Sequence, residues 1–121
     1  MGVFVNFSNH PSSGWPEDQT REAEKYGRIV DVPFPQVTPD ATSEEVRKHA
    51  KELADEIIGM DPEAVMAMGE FTLTYSVIYL LKEKGIKVVS ACTKREKQET
   101  VHEDGSVENV AVFRFMGFRE Y

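Results

Sequence analysis

The chain has 121 residues, of which 40% are hydrophobic and 29% charged, and it carries a formal net charge of −7. That length suits one domain, residues 1–121, with one sizeable core, and the composition excludes disordered and fibrous classes. A negative balance argues against a long nucleic-acid polymer as partner, because such binding rests on many Lys and Arg facing phosphates. No apolar run is long enough to span a membrane and no signal or lipidation motif is present, so a cytoplasmic protein without a membrane partner is expected. Cys92 is the only cysteine, which excludes an internal disulfide and leaves a small buried apolar residue or a reactive thiol as its readings.

Val3-Phe4-Val5-Asn6-Phe7 is a run of β-formers that ends in turn residues, a first strand. The loop Ser8 to Trp15 follows. Pro16 suits the first turn of a helix and Gly27 its end, so a helix is expected over 16–26, with a thin apolar face of Ala23 and Tyr26. Arg28 to Phe34 reads as a second strand stopped by Pro33 and Pro35. Thr42 and Glu45 have capping-box spacing, and Val46, Ala50, Leu53, Ala54, Ile57 and Ile58 recur at helical intervals up to Gly59. Ala64 to Met68 is a continuous apolar run, as in a central parallel strand covered on both faces.

A third helix is expected from about Thr72, its N-cap, to Lys84, with Gly85 closing it. Ile86 to Cys92 reads as a fourth strand that feeds a polar stretch from Lys94 to Val107. Within that stretch Asp104-Gly105 is a favoured hairpin turn, and Asn109 to Phe118 returns as an edge strand antiparallel to its hairpin partner. The alternation predicts an α/β fold: a Rossmann-like open, mainly parallel sheet with helices on both faces and a C-terminal β-hairpin.

Ligands of such sheets sit outside the carboxyl ends of the strands, where this chain collects its polar groups. His10 is the best general acid or base, since an imidazole can move a proton, although a lone loop histidine is also an ordinary turn residue. Asn6, Ser8 and Asn9 either satisfy the turn backbone or contact a ligand. Trp15 either stacks on a base or plugs the core. Glu70 is a helix-cap acceptor or a partner for a ligand hydroxyl or amine. Thr72 caps the helix after it, and Thr74 and Tyr75 in its first turn either reach the same cleft or are buried against the sheet. Arg95 is the clearest cation at a strand end and suits phosphate, with surface pairing to Glu96 or Glu99 as the plainer reading. The helix amino termini after the first and third loops offer N–H groups to an anion. His49 and His102 are expected to be solvated. No dinucleotide fingerprint, Walker loop, nucleophile elbow or zinc spacing occurs, so no metal or cofactor is expected.

Several segments together carry a family resemblance: Val5 to Ser12 with Trp15 and Gln19, Asp31 to Pro35, Met68 to Tyr75, Phe113 to Phe115 and Phe118 to Tyr121. With these the chain resembles small stand-alone CRISPR-associated proteins of the CARF type, including ring nucleases. The resemblance implies a homodimer whose strand-end clefts face one another, binding a cyclic oligoadenylate, most simply the four-nucleotide ring, since a symmetric ring fits a symmetric dimer. It implies metal-independent attack of a ribose 2′-hydroxyl on the neighbouring phosphorus, switching off type III CRISPR signalling. His10 would be catalytic, Ser8, Asn9, Ser12 and Ser13 would hold phosphate and ribose, and Glu70, Thr72 and Arg95 would line the floor, with Asn6, Trp15, Gln19 and Thr74 also in contact. Two other classes use the same cleft: a non-catalytic cyclic nucleotide sensor, and a nucleoside deoxyribosyltransferase-like enzyme with Glu70 as nucleophile. A structural subunit would instead expose an apolar edge of Phe113, Phe115 and Phe118.

Overall fold

Phe4, Val5 and Phe7 are wholly buried because the strand that carries them runs through the middle of the sheet and has helices on both sides. The computed structural model describes residues 2–121. Its elements are β1 (Val3–Ser8), α1 (Glu17–Glu24), β2 (Arg28–Pro33), α2 (Ser43–Ile58), β3 (Ala64–Met68), α3 (Phe71–Glu83), β4 (Val88–Val101) and β5 (Val107–Glu120). The sheet order is β2-β1-β3-β4-β5, with the first four strands parallel and β5 antiparallel at the edge. Side chains alternate across β1, so Phe4 faces a cluster with Ala23 of α1, while Val5 and Phe7 face α2 and α3. The mixed α/β architecture, with helices on both faces and a terminal hairpin, is the one the strand and helix alternation predicts.

Local chemistry sets the boundaries. Thr42 accepts a hydrogen bond from the Glu45 backbone N–H, and Glu45 reciprocates to the Thr42 N–H at 3.3 Å, so the expected capping box forms. Gly85 closes α3 in the left-handed region at φ 75°, where a side chain would be strained. The first helix is shorter than its Pro16–Tyr26 expectation. Pro16 is its N-cap, and the Ser12–Gly14 segment coils into a 3-10 turn before it.

The fourth strand differs most from expectation. It does not stop at Cys92 but continues to Val101, paired with β5 from Val89↔Glu120 to Val101↔Val107 with a bulge between Cys92 and Thr93. Residues 93–114 are exposed apart from Glu96, so this part is a two-stranded arm projecting past the sheet. The outgoing half, Lys94 to Val101, reads as loop because its charged and polar residues show no apolar alternation, whereas the returning half is expected as a strand. The hairpin turn falls at Asp104-Gly105 as expected, with Gly105 at φ 85°. The apolar edge expected for a structural subunit does not form. Phe115 is buried, Phe118 packs on Phe4 with ring centroids 5.2 Å apart, and only Phe113 is exposed.

Gly69, between β3 and α3, sits against the ring of Phe34, and a Cβ there would run into that ring. Phe34 has little room to yield, since it is buried and stacks on Phe7 at 4.7 Å. Gly69→Ala is therefore expected to lower stability by about 1–3 kcal/mol through overpacking. Gly14→Ala meets open space and should stay within about 0.5 kcal/mol. Chemical denaturation of the two variants checks the contrast, and equal stabilities would contradict it.

Candidate functional site

In this strand order the chain leaves β1 toward β2 on one side, while β3 leads on to β4 on the other. The carboxyl ends of β1 and β3 are thus the topological switch point, where open α/β sheets form their ligand crevice. Ser8 pairs in register with Met68, so the loop after β1 and the turn after β3 start side by side.

The loop is tied down from below by Asn6, which is 1% exposed. Its amide nitrogen donates to the His10 carbonyl at 2.8 Å and to the Asp31 carboxylate at 3.0 Å. Its amide oxygen accepts from the Ser8 hydroxyl at 2.6 Å, and that hydroxyl accepts from the His10 N–H at 3.2 Å. Asp31, beside Asn6 on β2, also accepts the Ser12 N–H at 3.2 Å. The Trp15 indole N–H donates to the same His10 carbonyl at 3.1 Å. Backbone, amide, hydroxyl, carboxylate and indole together fix the His10 main chain. The His10 side chain stays exposed, and among the described residues nothing hydrogen-bonds its imidazole.

The expected site residues divide accordingly. Asn6 and Ser8 serve the turn, the plainer of their two readings, because their polar atoms are spent inside the loop. Trp15 is a core plug whose ring meets the edge of Phe4 at 6.3 Å. Asn9, His10 and Ser13 are exposed at the strand end, and Ser12 is half-buried beside them. Gln19 does not reach the cleft. It is buried under α1, where its amide nitrogen meets the Met66 sulfur at 3.8 Å. Thr74 is buried on α3, its hydroxyl oxygen without a partner, and lines a groove on the outer side of that helix. Arg95 is on the arm. Met68 lies level with Ala91, so Arg95 stands four residues further along β4, about 13 Å beyond the sheet end. His49 is half-buried rather than solvated, and exposed His102 approaches Glu108 at 3.1 Å.

Glu70, not Thr72, is the N-cap of α3. Its carboxylate accepts the Leu73 N–H at 2.8 Å and the Thr72 hydroxyl at 2.7 Å. Those two hydrogen bonds, the Leu73 amide first, hold its carboxyl below the usual glutamate range. The amino end of α3 therefore already holds an anion supplied by the chain, and the expectation that it offers free N–H groups to a ligand is corrected. Asp31, expected among the polar residues that β2 brings to the strand ends, proves to be the residue that ties the loop to β2. Its signal was a lone carboxylate in an apolar strand, Ile29-Val30-Asp31-Val32. No group of three or more His, Cys, Asp or Glu side chains is placed to hold a metal ion among the described residues. Nor is any helix among them long and apolar enough to cross a membrane.

Asn6→Ala removes the acceptor of the buried Ser8 hydroxyl and one donor to the His10 carbonyl, while exposed Asp31 keeps the Ser12 N–H, so a loss of about 1–3 kcal/mol is expected. Backbone amides of residues 9–13 should exchange faster with solvent; unchanged exchange would mean the loop is held otherwise. Glu70 has a depressed folded pKa, so its contribution is present above the unfolded glutamate value and disappears as pH falls through the folded value. Glu70→Gln should then destabilise at pH 7 and lose its disadvantage as pH falls below the glutamate range, which denaturation across a series of pH values reads directly.

Comparison with known proteins places this geometry in a family. Among solved structures, the chain is similar to the crystal structure of UDP-GlcNAc 2-epimerase from Neisseria meningitidis bound to UDP-GlcNAc, at 16% identity and a TM-score of 0.46. The match covers 74% of this chain and 31% of that one, so the chain spans about a third of that enzyme's length. No curated protein matches. A family model matches residues 2–119, nearly the whole chain, and the chain accordingly belongs to the Uncharacterized protein MJ1673 family.

Proposed function

We propose that the cleft at the ends of β1 and β3 binds a cyclic oligoadenylate, most simply the four-nucleotide ring, and cleaves it with His10 as general acid or base. The observation that carries this reading is the exposed, unbonded imidazole of His10 on a main chain fixed by hydrogen bonds to Asn6, Ser8 and Trp15. A proton-transfer group is effective when its position is settled before the substrate arrives.

In the reaction a ribose 2′-oxygen forms a bond to the adjacent phosphorus while the bond from phosphorus to the 5′-oxygen breaks. The 2′-hydroxyl proton is lost and the 5′-oxygen gains one, leaving a cyclic phosphate and a 5′-hydroxyl. His10 moves one of these protons. Asn9, Ser12 and Ser13 supply the hydrogen-bonding side chains around it, suited to ribose hydroxyls and phosphate oxygens. Backbone amides contribute less than the sequence suggests, because the Ser12 N–H is committed to Asp31 and the Leu73 N–H to Glu70. Glu70 has the cap role in this reading, since both oxygens accept hydrogen bonds and neither is aimed as a nucleophile.

Incubation with cyclic tri-, tetra- and hexa-adenylate in EDTA, with products resolved by chromatography, tests the proposal. Shortened products with cyclic phosphate ends are expected, and His10→Ala should reduce their rate about 100- to 10,000-fold while leaving binding in place. Glu70→Gln should retain turnover. Binding without products in the parent protein would sink the catalytic half and leave a sensor; turnover of deoxynucleosides lost in Glu70→Gln would overturn the reading.

A further inference from the structure

α3 carries apolar residues on both its buried and its exposed side. Leu73, Val77 and Leu81 are fully buried against the sheet. On the outer side Phe71, Tyr75 and Tyr79 are 89%, 69% and 54% exposed. Their spacing of four residues aligns them as one ridge along the helix. Beside the ridge runs a groove of about 870 Å³ that Thr74, Ile78, Lys82 and Tyr121 help to line. Toward α2 lies a second hollow of about 410 Å³, edged by Arg47 and Lys51.

We infer that this face of α3 is a two-fold contact between two copies of the chain. A two-fold interface uses one patch twice, so the patch must be complementary to itself. This one is convex along the aromatic ridge and concave on either side of it, the relief that ridges-into-grooves packing of two helices requires. Its area is sufficient. At about 200 Å² for an aromatic side chain, the exposed parts of Phe71, Tyr75, Tyr79 and Tyr121 offer about 500 Å² per copy. Two copies that covered these four residues fully would bury about 1,000 Å² from them, the threshold for a specific interface before any neighbouring residues are counted. The rim carries both signs, with Arg47 and Lys51 against Glu83, so a copy is not repelled. A membrane surface would instead call for a rim dominated by Lys and Arg. The unpartnered Thr74 hydroxyl at the base of the groove is also within the area a second copy covers.

The contact does not depend on the ligand proposed above, and it is read without nucleotide. Sedimentation equilibrium of the whole chain should give a dimer mass. Tyr75→Glu and Tyr79→Glu, both exposed and so compatible with folding, should each weaken association about 30-fold or more, with unchanged helical circular dichroism. Phe113→Glu, exposed on the arm, should leave the mass unaltered. Tyr75→Cys in a Cys92→Ser background should form a disulfide-linked dimer on mild oxidation. A parent monomer at tens of micromolar overturns the inference, as does a dimer dissolved by Phe113→Glu and indifferent to Tyr75→Glu. A monomer that still cleaves a cyclic adenylate would overturn this contact and leave the catalytic reading standing.

Discussion

The Asn6 side chain is the constraint on which the rest of the strand-end region depends. A primary amide buried to 1% exposure within an apolar sheet is costly unless its hydrogen-bonding capacity is used. Here both N–H donors and the oxygen are engaged, to His10, Asp31 and Ser8. The loop therefore has one conformation in which the amide is satisfied, and departures from it expose an unpaired buried dipole. The same hydrogen bonds link β1 to β2 beyond the backbone ladder, since Asn6 and Asp31 are register partners. Core and site are consequently not separable: a buried residue inside β1 also sets where the imidazole of His10 begins.

This economy has a chemical consequence. Polar groups at the ends of β1 and β3 are divided between holding the fold and facing solvent, and the larger share goes to the fold. Glu70 neutralises the amino end of α3, and Asp31 takes the Ser12 N–H. Both are carboxylates, so the cleft gains negative charge where a phosphate would want the opposite. Recognition of an anionic ring would rest on oriented hydroxyl, amide and imidazole groups rather than on formal cations, in keeping with the overall charge of −7. Arg95, about 13 Å along the arm, does not offset it from its place on β4.

Legibility in the sequence followed the physics of each element. The α2 helix was readable residue by residue because capping box, apolar period and terminal Gly59 agree. The strands β1 and β3 declared themselves through continuous burial. In the arm the turn and the returning strand were legible, but the outgoing strand beyond Cys92 was not, because its polar, solvated residues leave no apolar trace. Gln19 and Thr74 are both buried, Thr74 in the plainer of its two readings, because a polar residue on a helix gives no sign in the sequence of which side it faces. Asn6 and Ser8 were found at the right place with their role undecided, since turn chemistry and ligand chemistry use the same atoms. Asp31 became meaningful only with the parallel register that sets it beside Asn6.

The turn Met68-Gly69-Glu70-Phe71 is where these threads meet. Gly69 is required by the Phe34 ring, Glu70 caps α3 and borders the cleft, and Phe71 begins the aromatic ridge on the next residue. A chain so tightly specified, packed from below and hydrogen-bonded from within, cannot shift one of these residues without the others. A ligand in the cleft and a second copy on the α3 face, as proposed above, would both touch this one short segment. Coupling between two binding events is reciprocal by thermodynamic necessity, so whatever a ligand does to pairing of copies through this turn, pairing does equally to the ligand.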